Sequence, residues 1–124
     1  LHVGHVRYMQ EASKLGDIFI VGLNSDDSVK RLKGPERPVN NQDDRAEVLS
    51  SLSFVDYVAI FDEDTPYNLI KAIQPDVLVK GGDYNPDDVV GKDIVEARGG
   101  ALKLIKFVEG KSTTNIINKM KKGK

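Results

Sequence analysis

Cysteine is absent from the 124 residues, which excludes disulfides and sites built on thiolate ligands. There is no excess of charge of either sign: 18 Lys+Arg stand against 19 Asp+Glu, giving a formal net charge of -1 at pH 7 and a pI near 6.1. Non-specific binding to nucleic acid or to anionic lipid needs a basic surface, so neither nucleic acid nor membrane is an expected partner. Any anionic ligand must instead meet positive charge concentrated locally. No apolar run approaches the roughly 18 residues of a membrane span, no signal-peptide pattern is present, and the cytoplasm is the expected compartment. Internal repeats, low-complexity stretches and linkers are missing as well. With 40% hydrophobic and 30% charged residues, the chain has the composition of an ordinary globular protein, and its length suits a single domain over residues 1–124.

An initiator methionine is also lacking. The chain opens Leu1-His2-Val3-Gly4-His5, already inside a motif, which leads us to expect an N-terminally incomplete domain with its first strand upstream of residue 1.

Four short apolar runs are present. Ile18–Asn24 (IFIVGLN), Tyr57–Phe61 (YVAIF), residues 76–80 (DVLVK) and residues 102–107 (LKLIKF) read as strands, the first buried on both faces. Segments of helical period lie between them. Ala46, Leu49 and Leu52 within residues 42–54 share one helix face, as do Leu69, Ile70 and Ile73. Thr65-Pro66 and Asn85-Pro86 each place a capping side chain before a proline at the first helical position, and Gly16 reads as the left-handed cap that ends the first helix. A last helix is expected to follow Ser112, carrying Ile116, Ile117 and Met120, with Lys119, Lys121 and Lys122 at its negative end. This alternation predicts an α/β fold, a doubly wound, Rossmann-like parallel sheet with helices on both faces. Such sheets bind ligands beyond the carboxyl ends of their strands.

Four groups of residues fall at those places. His2 and His5, the only two histidines, are three apart and share a helix face. Gly4 between them lets a ligand approach the backbone, at a helix start whose free N–H groups favour an anion. A structural pair, or half of a metal site with no third His or Cys ligand, is the alternative. The loop after Asn24 reads Asn24-Ser25-Asp26-Asp27 and then Lys30-Arg31-Leu32-Lys33-Gly34, with Arg37 beyond: a phosphate clamp, or a solvated helix end. Lys80-Gly81-Gly82-Asp83-Tyr84 follows a strand, and its glycines permit a nucleotide to lie against the main chain, or simply a turn. Glu109-Gly110-Lys111-Ser112-Thr113-Thr114 offers hydroxyls and N–H groups to a phosphate, or a helix cap. The joint pattern is stronger than any of its parts.

His2-Val3-Gly4-His5 resembles the His-x-Gly-His signature of the nucleotidyltransferase superfamily that includes cytidylyltransferases and adenylyltransferases, and Gly110-Lys111-Ser112-Thr113-Thr114 is similar to its Gly-x-Ser-Thr-Thr signature. Within that superfamily, Arg31-Leu32-Lys33-Gly34, Arg37-Pro38-Val39-Asn40, Glu63-Asp64-Thr65-Pro66, residues 77–84 and residues 112–117 resemble the adenylyltransferase domain of the bacterial ADP-heptose synthases, over essentially the whole chain. The resemblance implies transfer of AMP from ATP, with Mg²⁺, to D-glycero-β-D-manno-heptose 1-phosphate for the lipopolysaccharide inner core. It implies a homodimer, and a fusion or pairing with a sugar kinase domain. His2 and His5 would hold the α-phosphate, Lys33 with Arg31 would neutralise phosphate charge, Ser112, Thr113 and Thr114 would cap the β- and γ-phosphates, and Gly82, Asp83 and Tyr84 would lie near the nucleoside. No metal-ligating residue is assigned. Arg45 matches a family position, and a helix-surface ion pair accounts for it equally well.

Glycerol-phosphate cytidylyltransferases carry Arg-Thr ahead of their Glu-Gly-x-Ser-Thr-Thr, where this chain has Phe107-Val108. That departure favours the heptose reading, with a cytidylyltransferase for a small phosphate ester as the alternative. A non-catalytic nucleotide-binding or assembly module is the alternative from another class. No nucleophile paired with a base is evident, which suits a direct displacement needing only positioning and charge stabilisation.

Overall fold

In the computed structural model, which describes residues 3–36, 41–82 and 84–105 and the backbone of strand residues 114–119, five α-helices and five strands are set out along the chain. They are α1 (Val3–Ser13), β1 (Ile18–Asn24), α2 (Asp26–Lys33), α3 (Gln42–Ser50), β2 (Tyr57–Phe61), α4 (Tyr67–Ile73), β3 (Val77–Gly81), α5 (Lys92–Ala97), β4 (Ala101–Ile105) and β5 (Thr114–Lys119), with a single 3₁₀ turn at Pro86–Asp88 before α5. One sheet holds all five strands in the order β2-β1-β5-β3-β4.

β1 pairs with β2, and β3 with β4, in parallel. Side chains alternate across the pleat, and the helices cover both faces. Phe19, Val21, Leu23, Val77 and Val79 pack with Tyr8, Met9 and Ala12 of α1 and Leu49 of α3. Ile20 and Leu78 point the other way, into a smaller cluster with Ile70 of α4 and Val95 of α5. The near-continuous apolar runs of β1 and β3 exist because each is buried from two sides. Asp56 fixes the start of β1: the Phe19 N–H donates to its Oδ2 at 2.8 Å, and its own N–H donates to the Phe19 carbonyl at 3.0 Å. No helix among the described residues is long and apolar enough to cross a membrane.

The chain departs from the sequence expectation at its end and in three local places, besides the helix α2 that replaces the basic loop expected after Asn24. The largest departure is at the end, where Thr114–Lys119 is a strand and not the helix expected after Ser112. It runs antiparallel to both neighbours, with Leu23 opposite Thr114, Ile18 opposite Lys119, and Val79 opposite Ile116. The inner edges of β1 and β3 carry backbone N–H and C=O groups that need partners in a buried sheet. A segment with β-branched Thr114, Ile116 and Ile117 meets that need, and the demand of two edges outweighs the helical spacing of its isoleucines. Met120, Lys121 and Lys122 lie outside the described residues.

The other three are local. Among the described glycines, positive φ is found at Gly34, Gly82, Gly91 and Gly99 and not at Gly16; α1 ends earlier, at Ser13, and tightens through Lys14 N–H to Glu11 O (3.2 Å) and Leu15 N–H to Ala12 O (3.0 Å). Pro66 is the cap residue of α4, one place before the helix, and Thr65 Oγ1 receives only a 3.5 Å contact from the Tyr67 N–H. Asn85-Pro86 does cap as expected, Asn85 Oδ1 accepting from the Asp87 N–H at 3.0 Å. Finally, α3 stops at Ser50, and Leu52 and Phe54 reach the core from the turns beyond it.

Gly100 sits where the chain enters β4, and a Cβ there would run into the Asp76 carbonyl oxygen and crowd Val95 Cγ1 at 2.9 Å. Gly100→Ala is therefore expected to cost about 1–3 kcal/mol, seen as a lower urea midpoint at unchanged slope; an unchanged midpoint would contradict the crowding.

Candidate functional site

The carboxyl ends of β1 and β3 emerge on one edge of the sheet, and buried polar contacts lock the chain beyond β1 in place. Asn24, the last residue of β1, donates through Nδ2 to Ser28 Oγ at 3.0 Å, and the Ser28 hydroxyl donates to the Glu63 carbonyl at 2.8 Å. The Ser25 N–H donates to the Phe61 carbonyl at 2.9 Å, while its hydroxyl accepts from the Ser28 N–H at 3.2 Å and caps α2. Asn24, Ser25 and Ser28 are all buried. They tie β1, the start of α2 and the segment after β2 into one unit.

That cap corrects the expected basic loop, which is instead helix α2. Asp26 and Asp27 lie in its first turn and Lys30, Arg31 and Lys33 in its last, each set at the pole of the helix dipole that favours it. Arg45 of α3 reaches Asp26 Oδ1 at 3.0 Å, so its ion pair joins two helices and is not confined to its own surface.

A cavity of about 280 Å³ opens at this edge. Its floor is β1 and β3, through Asn24, Leu78 and Val79, and its apolar wall includes Val29 and Leu32 of α2, Ile70 of α4 and Val89. Among the described residues, two cations line it from separate elements: Lys33 at the end of α2 and Lys80 near the end of β3. Asp64 and Asp88 also line it. Arg31 lies outside it and holds Asp64 from behind, with Nε 2.8 Å from Asp64 Oδ1 and an NH2 contact to the Asp62 carbonyl. The Asp64 hydrogen bond is the main cause that pushes the Arg31 pKa above its ordinary value.

Tyr84 lines the same cavity, and the Lys80 ammonium lies 5.0 Å from its ring centroid, within cation–π range. The ring rests against Gly82, where φ is +121° and a Cβ would stand 2.8 Å from Tyr84 Cε2. Glycine is required there on two counts, backbone angle and space. Burial disfavours the charged ammonium, and it holds Lys80 below the ordinary lysine value.

Of the residues singled out in the sequence, Lys33 and Tyr84 thus meet in one cavity, with Gly82 beneath Tyr84 and Arg31 behind Asp64. Gly4 and His5 are on α1, no described residue of which lines the cavity; the His5 ring lies 6.2 Å from that of Tyr8. The start of α1 nevertheless belongs to the same edge, because α1 runs back to β1 through only residues 14–17. Thr114 pairs with Leu23, next to Asn24, so β5 also begins at this edge. His2, Arg37, Asp83, Ser112 and Thr113 lie outside the described residues. Lys80, Asp64 and Asn24 were not assigned roles from the sequence, although each stands at or just beyond a strand end, the signal that could have found them. Among the described residues, no three His, Cys, Asp or Glu side chains gather as a metal site.

A profile of the cytidylyltransferase-like family matches residues 1–119. The bifunctional protein HldE of Syntrophotalea carbinolica is 58% identical over 120 residues, 97% of this chain and 24% of that protein. HldE of Campylobacter concisus is 64% identical over 124 residues, 100% of this chain and 25% of that protein. The chain therefore spans about a quarter of the length of these relatives. A solved structure, described as the lipopolysaccharide core biosynthesis protein from Thermoplasma volcanium, aligns with a TM-score of 0.68 at 26% identity, covering 90% of this chain and 89% of that one.

The burial of Lys80 has a signed consequence. Below its lowered folded pKa the lysine is charged in both states and its desolvation weakens the fold. As pH rises from there toward the ordinary value of 10.5, the folded state releases the proton first and stability recovers. Lys80→Met removes this dependence, so the stability of the wild type relative to the variant is expected to rise with pH across that window. Urea melts at several pH values would measure it, and a constant difference would contradict the burial effect.

Proposed function

Because the chain belongs to the cytidylyltransferase-like family of nucleotidyltransferases, we propose that it transfers AMP from ATP to D-glycero-β-D-manno-heptose 1-phosphate, yielding ADP-heptose and pyrophosphate for the lipopolysaccharide core. The observation that carries this reading is the placement of Lys33. It comes from the Arg31-Leu32-Lys33-Gly34 stretch that resembles the ADP-heptose synthases, and it lines the cavity at the carboxyl edge, where folds of this kind bind ligands. The name of the Thermoplasma protein supports the pathway. The bifunctional relatives support a second activity beside this domain, which the reading assigns to a sugar kinase that makes the 1-phosphate.

The chemistry is an in-line displacement. A phosphate oxygen of the sugar 1-phosphate attacks the α-phosphorus of ATP, the bond from that phosphorus to the bridging oxygen breaks, and its electrons leave on pyrophosphate. Two polyanions must approach, and unit charges about 4 Å apart repel by roughly 4 kcal/mol at an effective dielectric near 20. Lys33 offsets that repulsion from the cavity wall. In this reading His2 and His5 hold the α-phosphate, and Ser112, Thr113 and Thr114 take the β- and γ-phosphates. Gly82, Asp83 and Tyr84 border the nucleoside. Mg²⁺ accompanies ATP in the same reading, where it would neutralise charge on the phosphates.

Pyrophosphate release measured in parallel with ATP and CTP, each with heptose 1-phosphate and with glycerol 3-phosphate, tests the reading. Turnover with ATP and heptose 1-phosphate is expected; CTP with glycerol 3-phosphate as the better pair would replace it, and nucleotide binding without any turnover would make the domain a binding module.

His5→Ala is expected to lower kcat by about 100-fold, the scale of losing one donor to a developing charge, with a much smaller rise in the KM for ATP. Equal, modest changes in both would move the α-phosphate role elsewhere. Lys33→Ala is expected to lose activity that Lys33→Arg partly keeps, and full activity in the alanine variant would displace the charge role.

A further inference from the structure

Asn24 is a polar residue in the floor of the cavity, and the transfer proposed above leaves it without a part. The pleat explains why it lies there. Ile20, Gly22 and Asn24 alternate with Val21 and Leu23 along β1, and Ile20 belongs to the cluster of Ile70 and Leu78, two residues that line the cavity. Asn24 therefore ends an apolar row with an amide. Its backbone is still in register with Phe61 of β2, so the sheet fixes the point from which the side chain starts.

A chain of hydrogen bonds decides which end of the amide is left for a ligand. The Ser28 hydroxyl donates its one proton to the Glu63 carbonyl at 2.8 Å, so towards Asn24 it can only accept, and Nδ2 supplies that bond at 3.0 Å. The reverse orientation would set Oδ1 against a hydroxyl oxygen with no proton to give. Oδ1 is thus turned away from Ser28. Nothing among the described residues donates to it, and it is not sealed in the interior. Asn24 is 4% exposed and lines the cavity, onto which this oxygen opens. Ser28 is wholly buried, which keeps water from loosening the arrangement.

An amide oxygen repels phosphate oxygens and accepts from O–H and N–H groups, so it suits a part of the ligand that carries no negative charge. A carboxylate in its place would add repulsion at an edge where the transfer reading brings two polyanions together. We propose that Asn24 is a specificity-determining residue whose Oδ1 accepts a hydrogen bond from an uncharged hydroxyl or amino group of the bound substrate, with Ser28 as the positioning residue that holds the amide in that orientation. The identity of the substrates rests on the nucleotidyltransfer reading above. Two sources carry such a group, the sugar of the acceptor and the nucleoside of ATP. A substrate analogue that lacks the group leaves a buried acceptor unpaired, and a polar site rejects close relatives by that cost.

The experiment uses the full chain, with binding measured by calorimetry for two series of ligands. One is ATP beside analogues that each lack a ribose hydroxyl or the exocyclic amino group; the other is heptose 1-phosphate beside analogues that each lack one hydroxyl. One analogue is expected to bind the wild type about three- to tenfold more weakly than its parent, the scale of a neutral hydrogen bond. Asn24→Leu is expected to weaken that parent by a similar factor and to bind parent and analogue alike, a loss of discrimination that general damage to the fold does not produce. The series in which it falls names the source, nucleotide or acceptor. Discrimination kept in full by Asn24→Leu, or none by the wild type in either series, overturns the proposal. Ser28→Ala frees the amide to turn and is expected to reduce the same discrimination; an unchanged ratio would overturn the part given to Ser28. A further measurement needs no variant: with carbon-13 in the asparagines, the Asn24 Cγ resonance is expected to shift with the parent ligand and not with the matched analogue. Equal shifts overturn the proposal even if Asn24→Leu does not fold. Binding of ATP without turnover would end the transfer reading, while the ATP series would still decide the part of Asn24.

Discussion

Two strands with apolar residues on both faces stand at the middle of this molecule, and neither can leave its backbone unpaired. β1 and β3 each have an outer partner, β2 and β4. Their inner edges face the same gap, and β5 closes it with six register pairs to β1 and three to β3. The cost of burying unsatisfied N–H and C=O groups sets the order of the sheet, and the order brings the ends of β1 and β3 to either side of the start of β5. Thr114 and Asn24 are near neighbours for that reason, although they lie far apart in the sequence. Cavity, α2 and the turn after β3 are all hung on those ends.

The electrostatics of the cavity come from arrangement and not from composition. A chain with net charge -1 concentrates positive charge by placing the acidic residues of α2 in its first turn and the basic ones in its last. Asp26 is further engaged by Arg45. Arg31 quenches Asp64 at the rim. Lys33 and Lys80 line, with Asp64 and Asp88, a space with largely apolar walls, in which charge interactions are weakened less than they are in open water. The same low polarity disfavours the charged ammonium of Lys80 and holds its pKa below the ordinary lysine value.

Much of this frame was legible in the sequence. Ile18–Asn24 and Tyr57–Phe61 are strands over the expected residues; the third strand is displaced by one residue to Val77–Gly81, and the fourth runs from Ala101 to Ile105, with residues 106 and 107 outside the described part. Burial on two faces writes the continuous apolar runs of β1 and β3, and such runs are hard to mistake. Residues 114–119 are different: Ile116 and Ile117 with Met120 fit a helix locally, and only the distant edges of β1 and β3 decide for a strand. The site shows the same division. Lys33 and Tyr84 could be suspected from their neighbours, and Gly82 from its doublet. The pairing of Lys80 with Tyr84 required knowing which way each side chain turns, and the separation of His5 from the cavity required knowing which face of the sheet α1 covers. Neither is encoded in spacing.

The two rims of the sheet are not alike. β4 forms one, and an exposed lysine, Lys103, sits at its centre. β2 forms the other with the sequence YVAIF, which contains neither a charge nor a proline and leaves Tyr57 and Ile60 exposed. Among the described residues this rim carries no charged or proline guard, and an apolar rim of this kind invites strand addition from a neighbouring molecule. Colloidal ageing of concentrated solutions should therefore begin at Tyr57–Phe61, and a single lysine placed on its solvent side would be the economical way to improve handling of the protein.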